Sequence, residues 1–169
     1  MKKLMLLFVL ALAVALTGCG KSAEMKKMES DLFASVNKMH VDGMALMTRA
    51  TAQVATIDET IAMCDKFVAE HPKETAGHNH ADLMAVKEKL SAGVTGMKKW
   101  MSDFKPYDEK MKHEDVMAQI AKSKDGIVKV KADLDAALAS AESAVAAHKA
   151  QGEELMAKLA KPAKKGAKK

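Results

Sequence analysis

Three stripes of apolar side chains at helical spacing fill nearly all of the 169-residue chain beyond Ser22, and its only three prolines fall at their edges. The first stripe reads Met25, Met28, Leu32, Val36, Met39, Gly43, Leu46, Ala50, Val54, Ile57, Ile61, Cys64, Val68. Every step is three or four residues, and the mean, 43/12, is about 3.6, the period of an amphipathic helix with one buried seam. His71 precedes Pro72, and a residue before proline avoids the α region, so this helix ends there. The second stripe is Leu83, Val86, Leu90, Val94, Met97, Met101, Phe104. Asn79 can cap its start, Asp82 suits the positive end of the helix dipole, and Lys105-Pro106 closes it. The third runs Val116, Ile120, Ile127, Val130, Leu134, Leu138, Ala141, Val145, His148, Gly152, Leu155, Leu159, with a weak point at Lys124-Asp125-Gly126 and a stop at Pro162.

Period and punctuation agree. They predict an all-α chain of three long amphipathic helices, an antiparallel bundle or an extended helical hairpin, over residues 30–160 with the helix start in 19–29. The second helix, of about 25 residues, is roughly 37 Å long. Its neighbours are longer, so their ends project unless they bend, and Gly43 and Gly126 are the expected kink points. Aromatic residues are only 4% of the chain. The expected core is therefore Met, Ala, Leu and Val, thin and adaptable.

The first twenty residues read as an address. Lys2 and Lys3 precede thirteen apolar residues, Leu4 to Leu16, and then Thr17-Gly18-Cys19-Gly20. A short basic start, an apolar run and small residues at its end make a secretory signal. The run falls short of the about 20 residues that a membrane span needs. Leu16-Thr17-Gly18-Cys19 resembles the lipobox of bacterial lipoproteins. That resemblance implies that residues 1–18 are a signal peptide and that Cys19 becomes the first residue, acylated on its thiol and its amine with palmitate-type chains. Gly20 differs from the aspartate that retains such proteins at the inner membrane. The implied location is the cell envelope, at the outer membrane facing the periplasm, with the lipid as membrane anchor.

Without residues 1–18 the chain keeps 25 basic against 22 acidic side chains, a net charge of +3. Six lysines lie in the last twelve residues, which leaves the body up to Ala157 at −3. Residues 161–169 lack apolar periodicity and are predicted to be a disordered basic tail. Lys161, Lys164, Lys165, Lys168 and Lys169 are its candidates for binding an anionic surface: anionic lipid, lipopolysaccharide phosphate or peptidoglycan. A solubilising role accounts for them equally. The periplasmic address excludes nucleic acid as the partner. The final Lys169 is similar to that of murein lipoproteins, but the aromatic-Arg-Lys ending of that family is missing.

Metal chemistry has two candidates. His71, His78 and His80 stand in the first connection, where imidazoles suit Zn or Cu. His40, Met44 and Met47, at i, i+4 and i+7, share one helix face and suit Cu(I). Ordinary capping and packing roles weigh more for both sets, since methionine fills irregular cores well. Cys64, the thiol that remains beside a lipidated Cys19, reads as a small buried apolar residue, with a disulfide-linked dimer as the alternative. No glycine-rich phosphate loop, nucleophile elbow or His-Glu-x-x-His motif occurs. The expectation is a non-enzymatic envelope lipoprotein with a structural or partner-binding role, binding peptidoglycan, anionic lipid or another envelope protein, and having no cofactor beyond its lipid. The alternative is a periplasmic metal-binding lipoprotein holding Cu or Zn.

Two internal segments, Lys38-Met39-His40-Val41-Asp42-Gly43-Met44 and Met97-Lys98-Lys99-Trp100-Met101-Ser102-Asp103-Phe104-Lys105-Pro106, resemble small helical lipoproteins of the viral A-type inclusion-like group. The resemblance covers about residues 30–145. It implies the same helical architecture and, since that group has no established activity, leaves function open.

Overall fold

A computed structural model describes residues 21–76 and 78–160; residues 1–18, Cys19 and the tail lysines Lys161 to Lys169 lie outside the described residues. Three helices form: α1 (Ala23–Glu70), α2 (Ala81–Asp103) and α3 (His113–Leu159), with no strand among the described residues. Their ends follow the local chemistry. The Ser22 hydroxyl accepts from the Met25 amide at 3.1 Å and caps α1, which stops where His71 precedes Pro72. Asn79 also helps, but from one position further out than a cap residue. Its amide oxygen accepts from Ala81 N at 3.2 Å, and His80 occupies the cap position without a side-chain bond.

All three helices pack against one another in a bundle. Cross-contacts fix the order. The first helix pairs with the second in descending register, His40 beside Trp100 and Asp58 bonded to Lys87. It pairs with the third in ascending register, Asp42 to Lys131 at 3.4 Å and Arg49 to Glu142 at 3.2 Å. The bundle therefore runs up, down, up, with α1 and α3 parallel. Ile57, Leu83, Leu90, Met97, Ile127 and Leu134 are fully buried on the facing seams. Burial of each such side chain stabilises the fold by about 1.5–3 kcal/mol.

The helices run unbroken through both glycines expected as kink points, and both glycines serve helix contact. Helix α1 is continuous through Gly43 and α3 through Gly126. A Cβ at Gly126 would stand 2.9 Å from Cδ1 of the Trp100 indole, whose Nε1 donates to the Ser123 carbonyl at 2.8 Å. The weak point in the third stripe is thus the notch that receives a tryptophan. The length mismatch is resolved by the connections. Residues 104–112 run beside the start of α1, packing Phe104, Tyr107 and Met111 against the core. Glu74, Thr75, Ala76 and His78 of the first connection lie beside the last turns of α3.

The aromatics are few but concentrated. Phe33 stacks on Phe104 at 5.4 Å, Phe104 on Trp100 at 4.8 Å, and Tyr107 lies 5.9 Å from Phe33. The buried core is mainly Val, Leu, Ile and Ala with Met97 and Trp100, and Phe33, Phe104 and Tyr107 pack half-buried against it at this end, where four scattered positions converge. The stripe also begins differently. Met25 and Met28 are exposed, whereas Glu29 is wholly buried.

Candidate metal centre

The far end of the bundle, where α1 approaches the start of α2, gathers groups from four segments. Cys64 projects from α1, His148 from α3, His78 from the first connection and Asp82 from the first turn of α2. The Cys64 sulfur and one ring nitrogen from each of His78 and His148 all lie within 4.8 Å of one another. The two imidazoles meet edge to face, with centroids 5.6 Å apart. Among the described residues this is the one group of three or more histidine, cysteine and carboxylate ligand atoms close enough to share an ion.

His148 is the buried member, its side chain only 3% exposed. Its Nε2 is bonded to Asp82 Oδ1 at 2.8 Å, whereas Nδ1 is buried with no protein partner. A buried, unpaired ring nitrogen costs free energy, so such groups are rare unless a ligand, ion or water meets them. Burial would raise the Asp82 carboxyl, but the His148 contact and the Leu83 backbone amide outweigh it and hold the carboxyl below its ordinary range. Cys64 moves the other way. Burial first, then the negative charges of Asp65 and Asp82, push its thiol above the usual value. The same two carboxylates make the site attractive to a cation.

Other histidines singled out in the sequence stand apart from this group. His71 packs on the Phe67 ring at 4.8 Å, and His80 Nδ1 faces Asp65 at 3.7 Å. His40 lies against Trp100, ring centroids 5.2 Å apart, with its Nε2 buried and unpartnered. Met47 packs against the core and Met44 is half-buried beside it. Cys64 is a free thiol, half-buried rather than sealed in the seam. In the sequence His78 stands out as a candidate ligand, whereas Cys64 and His148 read as packing residues on their seams. One signal was available: His148 is the only ionisable residue on the third stripe.

A second buried polar group closes the opposite end. Lys21 Nζ and the Tyr107 hydroxyl donate to Glu29 Oε2 at 2.8 and 2.7 Å, and His113 Nδ1 lies 2.8 Å from Oε1. Burial would raise this carboxyl, but the bonds from Lys21, Tyr107 and His113 prevail and hold it down at about 2. Hydrogen bonding to Glu29 and burial push Tyr107 up to about 12. With both carboxylate oxygens engaged, Glu29 is a clasp between α1, the second connection and α3.

No protein-family model matches the chain, and no curated protein or solved structure is significantly similar to it.

Proposed function

We propose that the chain is a non-enzymatic lipoprotein of the bacterial cell envelope, anchored through acyl chains on Cys19, whose helical bundle stands off the membrane to engage another envelope component. The observation that carries this reading is Leu16-Thr17-Gly18-Cys19, three residues ahead of the cap of α1. No helix among the described residues is long and apolar enough to cross a membrane. In this reading the lipid supplies the attachment.

The tether is short. Lys21, two residues beyond Cys19, is already tied to the buried Glu29. The clasp end therefore faces the membrane, and α1 rises about 50 Å from Glu29 to Cys64 at ~1.5 Å per residue. Because α3 runs parallel to α1, the lysine-rich segment after Pro162 starts at the end remote from the anchor. That placement favours peptidoglycan over the protein's own membrane as its anionic partner.

The test is cellular. Cys19→Ser should leave the chain unacylated and move it from the membrane fraction to the soluble fraction. Unchanged fractionation of the variant with outer membranes would overturn the lipoprotein reading.

A further inference from the structure

We propose that Cys64, His78 and His148 bind one Zn(II) ion, with Asp82 as the carboxylate that orients His148. The site lies about 50 Å along α1 from Glu29, and the inference does not rest on the lipoprotein reading.

Three observations converge. The donors are one sulfur and two imidazoles, the set that Zn(II) takes and that Mg(II) and Ca(II) avoid. Asp82 holds one ring nitrogen of His148 and leaves the other buried without a partner. A metal-ligating histidine is held in this way, one nitrogen on a carboxylate and the other on the ion. Thirdly, Cys64 and His148 border an open apolar groove, shared with Thr60, Met63, Phe67 and Met156, that gives an ion and its water a way in.

The dimensions fit. Zn–S of about 2.3 Å and Zn–N of about 2.0–2.1 Å put tetrahedral ligand atoms about 3.3–3.8 Å apart. The three atoms here lie within 4.8 Å. His78 stands in a connection rather than on a helix, so a shift of about 1 Å closes the set around an ion. Binding displaces the thiol proton of Cys64, leaving thiolate, two neutral imidazoles and water in the fourth position. The parallel run of α1 and α3 brings Cys64 to His148, and neither stripe alone contains the site.

Titration of the full chain in detergent with Co(II), followed by Zn(II), tests the proposal. One equivalent of Co(II) should give a sulfur-to-metal charge-transfer band and tetrahedral visible bands, both removed by Zn(II). Cys64→Ser should abolish the charge-transfer band. His78→Ala should weaken binding at least about tenfold, and Asp82→Asn by about 10–100-fold. Metal-free melts of each variant separate a lost ligand from a lost fold. On the unaltered chain, Zn(II) should protect Cys64 from alkylation, mapped by mass spectrometry. The same results with Cys19→Ser distinguish this site from the lipidation cysteine. Absence of the charge-transfer band, its persistence in Cys64→Ser, unprotected Cys64, or loading by Cu(I) but not Zn(II) would each overturn the assignment.

Discussion

The Tyr107 hydroxyl donates to the Glu29 carboxylate at 2.7 Å, joining residues 78 positions apart at the base of the bundle. Tyr107 sits in the connection that covers the start of α1, where its ring packs on Phe33 and its oxygen reaches Glu29, the one wholly buried acid among the described residues. An aromatic side chain with a polar tip suits this place: its body joins the core and its hydroxyl satisfies a charge. Lys21 completes the cluster, its Nζ 5.7 Å above the Tyr107 ring centroid. Breaking the clasp from one side leaves an uncompensated buried group, which is destabilising.

Stability should fall in acid through Glu29. Its carboxyl titrates near 2 in the fold against an ordinary 4.5, so between these values the unfolded chain binds more protons. The stabilisation is present above about 4.5 and is lost as pH drops toward 2. Thermal melts from pH 7 downward should show this loss, and Glu29→Gln should flatten it while lowering the melting temperature at neutral pH.

Tyr107 gives the mirror effect in base. Its folded value of about 12 exceeds the ordinary 10, so its contribution is full below 10 and is lost as pH rises through 12. The chain has one tyrosine, so ultraviolet titration of tyrosinate reads this group directly. Glu29→Gln should return the midpoint toward 10. An unchanged midpoint would mean that the bond to Glu29 does not hold the proton.

Much of the bundle is legible in the sequence because period and punctuation are local. Pro72 and Pro106 mark the connections, and Val36, Ile57, Leu90, Ile127 and Leu134 stand on the seams that the three-and-four spacing picks out. What the spacing hides is side-chain chemistry across elements. Glu29 reads as a solvated helix position beside Met28, and only the arrival of Tyr107 and His113 from the second connection and α3 reverses that. Trp100 displaces Met101 from the deepest place because Gly126, on another helix, leaves room for its ring. The grouping of Cys64, His78 and His148 fails to emerge for the same reason. His78 stands out by motif, but its partners are fixed by the register of α1 against α3, which no single stripe states.

Alanine at the glycines should separate helix propensity from packing. An alanine in a helix interior gains about 1 kcal/mol over glycine, whereas overpacking a tight contact costs about 1–3 kcal/mol. At Gly152 a Cβ meets nothing within 4 Å, so Gly152→Ala should stabilise. At Gly126 the obstacle is the rigid Trp100 indole, so Gly126→Ala should destabilise. Gly43→Ala should fall between them, because its nearest obstacle is the terminal methyl of Met97, the far end of a flexible side chain. Urea denaturation of the three variants tests this order.

Leu134 fills the space opposite Gly93, where its Cδ2 would stand 2.7 Å from an added Cβ, and it is fully buried. Leu134→Ala should cost about 2–5 kcal/mol, because the helices close only partly over the space. Leu134→Asp adds an unpaired buried charge and should be worse. A Leu134→Asp chain that melts like the parent would mean that this seam is not buried in solution.

The lysines from Lys161 onward are a binding element only if an anionic surface lies within their reach. Residues 161–169 extend at most about 30 Å. They begin where α3 ends, and α3 ends beyond the Cys64 and His148 level, remote from Glu29. Near a charged surface each lysine contributes about 1 kcal/mol, with a reach of ~8 Å at physiological salt. The chain with Cys19→Ser, which carries no lipid, should therefore sediment with purified peptidoglycan at low salt and be released as salt rises. Deleting residues 161–169 should abolish that binding and leave the helical melt unchanged, since the buried seams stop at α3. Stronger sedimentation with anionic vesicles than with peptidoglycan would move the partner to the lipid surface. Equal sedimentation of the full and shortened chains would reduce the lysines to a solubilising role.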